Sequence, residues 1–453
     1  MKSLLHAISI FLCSSLLLTG TLSAQQNANF PDREEWFMDM GFGMFIHWSF
    51  DSQIGAVISH SMAGASQDYL DRFVNELPKT FNPKQFDPED WAVLAKLAGM
   101  KYVVFTSKHH SGFCMWNTKT TNFGVMNTPF KRDILKEIIE AFRKQGLAIG
   151  LYFSPEDFHY FYEHNIPVGR LQNPMHYPAN NKGLMDYDKA QLKELLTNYG
   201  KIDLIFFDGP ADGLKEYAWQ LQPSIVVTRG SMQTPEQTLP DKPLPGPWEA
   251  CFTMGTDWQY KPTNDPHKSG TKIINMLIET RAKGGNLLLN VGPKPNGEIQ
   301  IEQEALLREV ALWNLVNTEG IHSIRPWEII KEDDIWFTRS KTDPATVYAF
   351  VQGGTNWPHG SRKEFILKTL EGNAQTKVSI LGYASELVEY RKEFDASVRV
   401  YTNPLGLVIS AVNGHRLYTN YQWPNPVVLK IENVKYKPAE VVNEQRSTID
   451  GAK

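Results

Sequence analysis

The sequence predicts an α/β chain: a (β/α)8-like TIM barrel followed by a C-terminal antiparallel β-sandwich. Three observations predict it. Over residues 28–331, short and nearly continuous apolar runs alternate with amphipathic stretches, the pattern of parallel strands buried on both faces between helices. No G-x-G-x-x-G turn follows the first run, which favours a barrel over an open doubly wound sheet. From Glu332 to residue 437 the pattern changes to short alternating segments punctuated by Pro and Gly, with no long helical period.

In chain order, the apolar runs are Phe42-Gly43-Met44-Phe45-Ile46, Tyr102-Val103-Val104-Phe105, Ala148-Ile149-Gly150-Leu151-Tyr152-Phe153, Leu204-Ile205-Phe206-Phe207, Ile225-Val226-Val227 and Leu287-Leu288-Leu289. Pro247-Trp248-Glu249-Ala250-Cys251-Phe252 supplies a further short strand. Helices are expected over 88–97, 132–145, 186–199 and 270–283, and the Gly146 and Gly200 stops fit helix ends. Beyond the barrel, strands are expected at 346–351, 378–380, 398–401 and 407–409, and 438–453 is a polar tail.

Residues 1–24 combine Lys2, an apolar run over 4–18 and a small-residue stretch ending in Ala24, the order of a secretory signal peptide. The run falls short of the ~20 residues that a spanning helix needs. Cleavage near Ala24 is expected, with export to the periplasm or medium and no membrane span in the mature chain. Cys13 would leave with the lead, and Cys114 and Cys251 are too few for a disulfide framework or a zinc site.

The 453 residues carry 46 Lys+Arg against 50 Asp+Glu, a formal charge of −4 with no basic stripe, which excludes a nucleic-acid binder. A hydrophobic fraction of 42% excludes a disordered chain.

Catalytic groups of a parallel barrel stand at the C-terminal ends of its strands. The runs here end in His47-Trp48, Lys108-His109-His110, Ser154-Pro155-Glu156-Asp157, Asp208-Gly209, Arg229-Gly230 and Asn290-Val291-Gly292. Asp208 and Glu249 are the two isolated carboxylates, the pair that glycoside hydrolysis uses. Asp208-Gly209-Pro210 also reads as an Asx-capped turn, and Glu249 as a solvated strand end. A metal site is not expected: His109 and His110 are adjacent and would face opposite ways on a strand, and no H-x-H or H-E-x-x-H spacing is present. No G-x-S-x-G elbow supports a serine hydrolase.

Trp36-Phe37 with the run 42–48, Ala98-Gly99-Met100-Lys101 leading into the run that ends Thr106-Ser107-Lys108-His109-His110, Gly150-Leu151-Tyr152-Phe153-Ser154, Phe207-Asp208-Gly209 and the run 284–293 resemble, in collinear order, the α-L-fucosidases of glycoside hydrolase family 29. The resemblance implies a retaining exo-glycosidase that removes terminal α-L-fucose from oligosaccharides or glycoconjugates, with no cofactor or metal. It implies Asp208 as nucleophile and Glu249, followed by Trp258-Gln259-Tyr260, as acid/base. Glu156, Asp157 and Asp257 are the other acids to consider. It further implies that His47, His109, His110 and Arg229 bind the sugar, with Trp48 and Trp116 in the pocket wall. Ser111 stands where the family has Asp and Ser49 where it has Gly, and 51–81 departs from the usual text around the sugar's C5 and C4 substituents. An α-L-galactosidase is therefore the alternative within the family, and a non-catalytic glycan-binding barrel the alternative outside catalysis.

Overall fold

The computed structural model describes residues 27–352, 357–385, 395–414 and 424–438. The expected signal peptide and all but the first residue of the polar tail lie outside them. Seven strands, β1 (Phe42–Ile46), β2 (Tyr102–Lys108), β3 (Ala148–Phe153), β4 (Leu204–Phe207), β5 (Val226–Val227), β6 (Glu249–Thr253) and β7 (Asn286–Val291), form one curled sheet in the order β5-β4-β3-β2-β1-β7-β6. Every pairing in it is parallel. An eighth regular strand is absent among the described residues. The gap between β5 and β6 is spanned by residues 228–237, which make isolated parallel bridges Arg229 to Met232, Gln233 to Trp248 and Glu236 to Cys251. This lining has no apolar run, so the strand period does not reveal it.

Outside the sheet run α1 (Pro31–Met40), α2 (Gln67–Asn75), α3 (Pro88–Leu97), α4 (Ile134–Lys144), α5 (Phe158–Glu163), α6 (Lys182–Asn198), α7 (Leu214–Leu221), α8 (Gly270–Ala282) and α9 (Ile301–Asn317). In α4 the buried Ile134, Leu135, Ile138, Ile139 and Phe142 recur at helical spacing on one face, and Asp133 caps the first turn by accepting from the Lys136 amide at 3.0 Å. α1, α2, α5, α7 and α9 are additions to the helices expected from the sequence.

Two cores follow from strand alternation. Inward residues Phe45, Tyr102, Val104, Tyr152, Leu204, Phe206, Val226, Cys251 and Leu288 fill the barrel, while outward ones join the larger core beneath the helices. Glycine makes room at the bottom, since a Cβ on Gly43 would stand 2.4 Å from the Tyr102 ring.

The antiparallel part opens at Ile324, ahead of the Glu332 break seen in the sequence. β8 (Ile324–Glu332), β9 (Ile335–Ser340), β10 (Val347–Val351), β11 (Arg362–Leu367), β12 (Leu370–Glu371), β13 (Lys377–Ile380), β14 (Arg399–Asn403), β15 (Gly406–Val412), β16 (Val427–Glu432) and β17 (Lys435–Tyr436) follow. They form a five-stranded sheet β13-β16-β10-β9-β8, a three-stranded sheet β11-β15-β14 and the pair β12-β17. Trp313 of α9 fastens this part to the barrel by donating to the Pro426 carbonyl at 2.7 Å.

Candidate active site

A cavity of about 220 Å³ opens at the C-terminal end of the barrel, lined by Phe45, His47, Ser59, His60, His109, Tyr152, Arg170, Phe206, Asp208, Arg229, Glu236, Cys251 and Trp258. This is below the roughly 300 to 1,000 Å³ of sites for drug-sized ligands, and suits one small ring. A larger groove of about 410 Å³ lies between α3, α9 and the segment before it, and it carries the i,i+4 ion pairs Lys294–Glu298 and Arg308–Glu304.

Asp208 follows β4 directly. Its Oδ1 accepts from Arg229 at 3.0 Å, and its Oδ2 accepts from the Tyr152 hydroxyl at 2.7 Å and faces His110 Nε2 at 3.2 Å. Burial pushes this carboxyl up, but the His110 hydrogen bond and the charges of His110 and Arg229 outweigh it and hold it well below the usual range. Asp208 is thus a carboxylate, its side chain 22% exposed to the cavity.

Arg229 binds a second carboxylate. Its other terminal nitrogen lies 3.0 Å from Glu236 Oε2, its Nε donates to Thr234, and its guanidinium rests 4.5 Å over the Phe206 ring. The Glu236 side chain is 44% exposed at the rim. The sequence reading missed Glu236, because it lies in the irregular lining between β5 and β6.

His47 and His109 present opposite hydrogen-bonding faces. The Asn290 amide donates to the Trp258 carbonyl, so its Oδ1 faces His47 Nδ1 at 2.6 Å and takes the ring proton. Burial lowers His47 to about 3, so its Nε2 remains an acceptor. His109 Nδ1 accepts from the His110 amide at 2.9 Å, which leaves Nε2 protonated as a donor. Burial also holds this ring neutral. His109 stacks on Tyr152 at 4.8 Å, and Trp258 lies 4.9 Å from His47.

His109 and His110 both reach the site, contrary to the alternation expected of them, because β2 ends at Lys108 after a register shift between Thr106 and Lys108. Their ring nitrogens and an Asp208 oxygen lie within 4.8 Å of one another. As a ligand set these atoms fit poorly: His109 Nδ1 is occupied by an amide and His110 Nε2 by Asp208 itself.

Three expected residues lie elsewhere. Glu249 opens β6 at the opposite end of the barrel, wholly buried, with the Tyr102 hydroxyl donating to Oε2 at 2.5 Å, and it does not line the cavity. Burial pushes it up to about 7 against that hydrogen bond, a value that would suit a general acid. Geometry decides against that role, since an acid must reach the proton it transfers. Trp48 follows inward-facing His47 and so turns outward, packing on Phe81, Phe86 and Trp91 with Nε1 on the Lys294 carbonyl. Trp116 is buried on Glu194. The aromatic wall is instead Phe45, Tyr152, Phe206 and Trp258.

The other acids considered are also outside the cavity. Asp157 pairs with buried Lys108 at 3.1 Å and caps α5, while Asp188 pairs with the same lysine at 3.0 Å. Glu156 is buried behind His110, and Asp257 lies beside Trp258 without lining the cavity. In the divergent segment after β1, Asp51 is buried and pushed up to about 6 by its burial. Gln259 ties that segment to Trp258 by donating to the Ala56 carbonyl at 3.1 Å. Cys114 and Cys251 are both free and buried.

The family model for alpha-L-fucosidase matches residues 21–319. An alpha-L-fucosidase of Dictyostelium discoideum is 29% identical over 400 residues, spanning 78% of this chain and 84% of that protein. Tissue alpha-L-fucosidase of Mus musculus is 30% identical over 402 residues, spanning 78% and 84%. The solved structure of alpha-L-fucosidase isoenzyme 1 from Paenibacillus thiaminolyticus superposes with a TM-score of 0.70 at 28% identity, covering 90% of this chain and 99% of that one.

Proposed function

Because this chain belongs to the alpha-L-fucosidase family of glycoside hydrolases, we propose that it removes terminal α-L-fucose with net retention, using Asp208 as nucleophile and Glu236, rather than Glu249, as acid/base. One observation carries this reading: Asp208 and Glu236 sit on the two terminal nitrogens of a single guanidinium, at the mouth of a cavity sized for one ring. Retaining hydrolysis needs two carboxyl groups roughly 5 to 5.5 Å apart.

Each group has a chemical task. Asp208 Oδ2 accepts two donors, whereas Oδ1 accepts only Arg229, so Oδ1 keeps the free lone pair. Oδ1 attacks the anomeric carbon as the bond to the leaving oxygen breaks, and Glu236 gives that oxygen its proton. Glu236 then takes a proton from water, whose oxygen displaces Asp208 and restores the original anomeric configuration. Glu236 Oε2 rests on Arg229 at 3.0 Å, so the leaving oxygen of the substrate must take the place of that contact when Glu236 gives it a proton. His47 as acceptor and His109 as donor suit neighbouring hydroxyls of the sugar, and Trp258 offers an aromatic surface beside them.

The test uses p-nitrophenyl α-L-fucoside and α-L-galactoside in parallel, with product stereochemistry followed by NMR. Release from the fucoside with retained configuration supports the reading; release mainly from the galactoside shifts the substrate, and inversion overturns the mechanism. In Glu236→Ala, turnover of natural glycosides should fall about 10²- to 10⁴-fold, and azide should restore activity on the activated aryl substrate. Export after cleavage near Ala24 belongs to the same proposal, and N-terminal sequencing of the mature protein checks it.

A further inference from the structure

We propose that Glu156, a buried carboxylate outside the sugar cavity, is a positioning residue that keeps His110 as a doubly protonated imidazolium, and that this cation keeps Asp208 ionised. The inference rests on the reading of Asp208 as nucleophile.

Hydrogen-bond accounting leads to it. The Ser154 hydroxyl lies 2.8 Å from the Glu156 carbonyl, which can only accept, so the hydroxyl proton points there. The same oxygen lies 2.6 Å from His110 Nδ1, so the proton between them belongs to the ring. At the other end of the ring, Nε2 stands 3.2 Å from Asp208 Oδ2, which already accepts from Tyr152. A bare nitrogen lone pair facing a carboxylate would be repelled, so Nε2 carries a proton too. With both nitrogens protonated, the ring is a cation, and it is wholly buried.

A buried cation needs compensation. Asp208 supplies one negative charge but shares it with Arg229. Glu156 supplies the other and shares it with Arg170: its Oε2 is 3.3 Å from His110 Nδ1 and 2.8 Å from Arg170 Nε, and its side chain is 1% exposed. Glu156 is itself held by a different segment, accepting from the Leu171 amide at 2.6 Å and pairing with Arg170 at 2.8 Å. The other titratable groups facing this cluster add no anion. His109 meets the His110 ring edge-on at 4.7 Å and is neutral, and His176 approaches Glu156 at 3.9 Å while its Nε2 is spent on the Pro167 carbonyl.

The experiment reads the ring nitrogens of His110 directly by NMR in full-length protein labelled with ¹⁵N-histidine, assigned by a His110→Asn control. In the wild type at pH 7 both nitrogens should show imidazolium shifts. In Glu156→Gln at the same pH, one His110 nitrogen should move to the bare-nitrogen shift. The alkaline limb of kcat/KM on the aryl fucoside should move down with it, and Glu156→Asp should restore part of both shifts. A bare nitrogen on wild-type His110 at pH 7 overturns the proposal, as does a Glu156→Gln variant that leaves the His110 signal and the alkaline limb in place. If Glu156→Gln fails to fold, the wild-type signal and the Glu156→Asp titration decide. Turnover by Asp208→Ala would instead remove the nucleophile reading, which the ring-nitrogen signal does not depend on.

Discussion

Each end of the barrel holds a carboxylate that accepts from a tyrosine. At the mouth Tyr152 donates to Asp208 at 2.7 Å, and at the floor Tyr102 donates to Glu249 at 2.5 Å. The surroundings then diverge. Asp208 also meets His110 and Arg229, which hold it as an anion, whereas Glu249 has the Tyr102 phenol as its side-chain hydrogen-bond partner among the described residues and burial pushes it up to about 7. The difference shows that a phenol alone does not keep a buried carboxylate charged, and that a perturbed acid marks a working site only where substrate can reach it.

The sharpest way to break this comparison is to remove each acid in turn. Asp208→Ala should cost at least about 10⁴-fold in kcat, measured on the aryl fucoside. Glu249→Gln should leave kcat/KM within about tenfold of the parent, far less than the loss expected for Glu236→Ala. A Glu249→Gln loss equal to that of Glu236→Ala would return the acid to the floor.

The two tryptophans extend the contrast to packing. Trp48→Ala should lower stability by about 3–5 kcal/mol in denaturant unfolding, because its ring is wholly buried among Phe81, Phe86 and Trp91. Trp258→Ala should raise KM for the fucoside about tenfold, roughly 1.4 kcal/mol, with a smaller stability loss.

The same contrast has a pH slope. Glu249 titrates near 7 when folded against an ordinary 4.5, so between those values the folded chain holds more protons than the unfolded one. Its contribution is fully present below about pH 4.5 and falls as pH rises toward 7. Glu249→Gln should therefore gain on the wild type across that window, by an amount on the order of 3 kcal/mol, read from unfolding midpoints at pH 4.5 and 7.5. Asp208, held low, acts with the opposite sign and loses its contribution only below its ordinary 3.8.

Much of the frame was legible in the chain. All seven barrel strands coincide with apolar runs, because a strand buried on both faces needs continuous apolar residues. His47, Asp208 and Arg229 stand immediately or closely after such runs and meet in one cavity. Glu236 had no such signal, since its segment lines β6 through isolated bridges and is mostly polar. Glu249 was misread because it stands in a strand whose direction and height in the barrel are invisible in one dimension, and a carboxylate beside Trp248 looks alike at either end. Trp48 was misread for a simpler reason, since strand alternation turns the neighbour of an inward histidine outward.

By itself, the sequence determined where the strands lie, which of their ends carry chemistry, and the family, because local period and collinear motifs need no third dimension. Only the tertiary structure decided which carboxylate shares Arg229 with Asp208, which imidazole stands between Asp208 and Glu156 and which aromatics line the cavity. Those depend on strand register, on the height of a residue in the barrel, and on protons shared between side chains far apart in the chain.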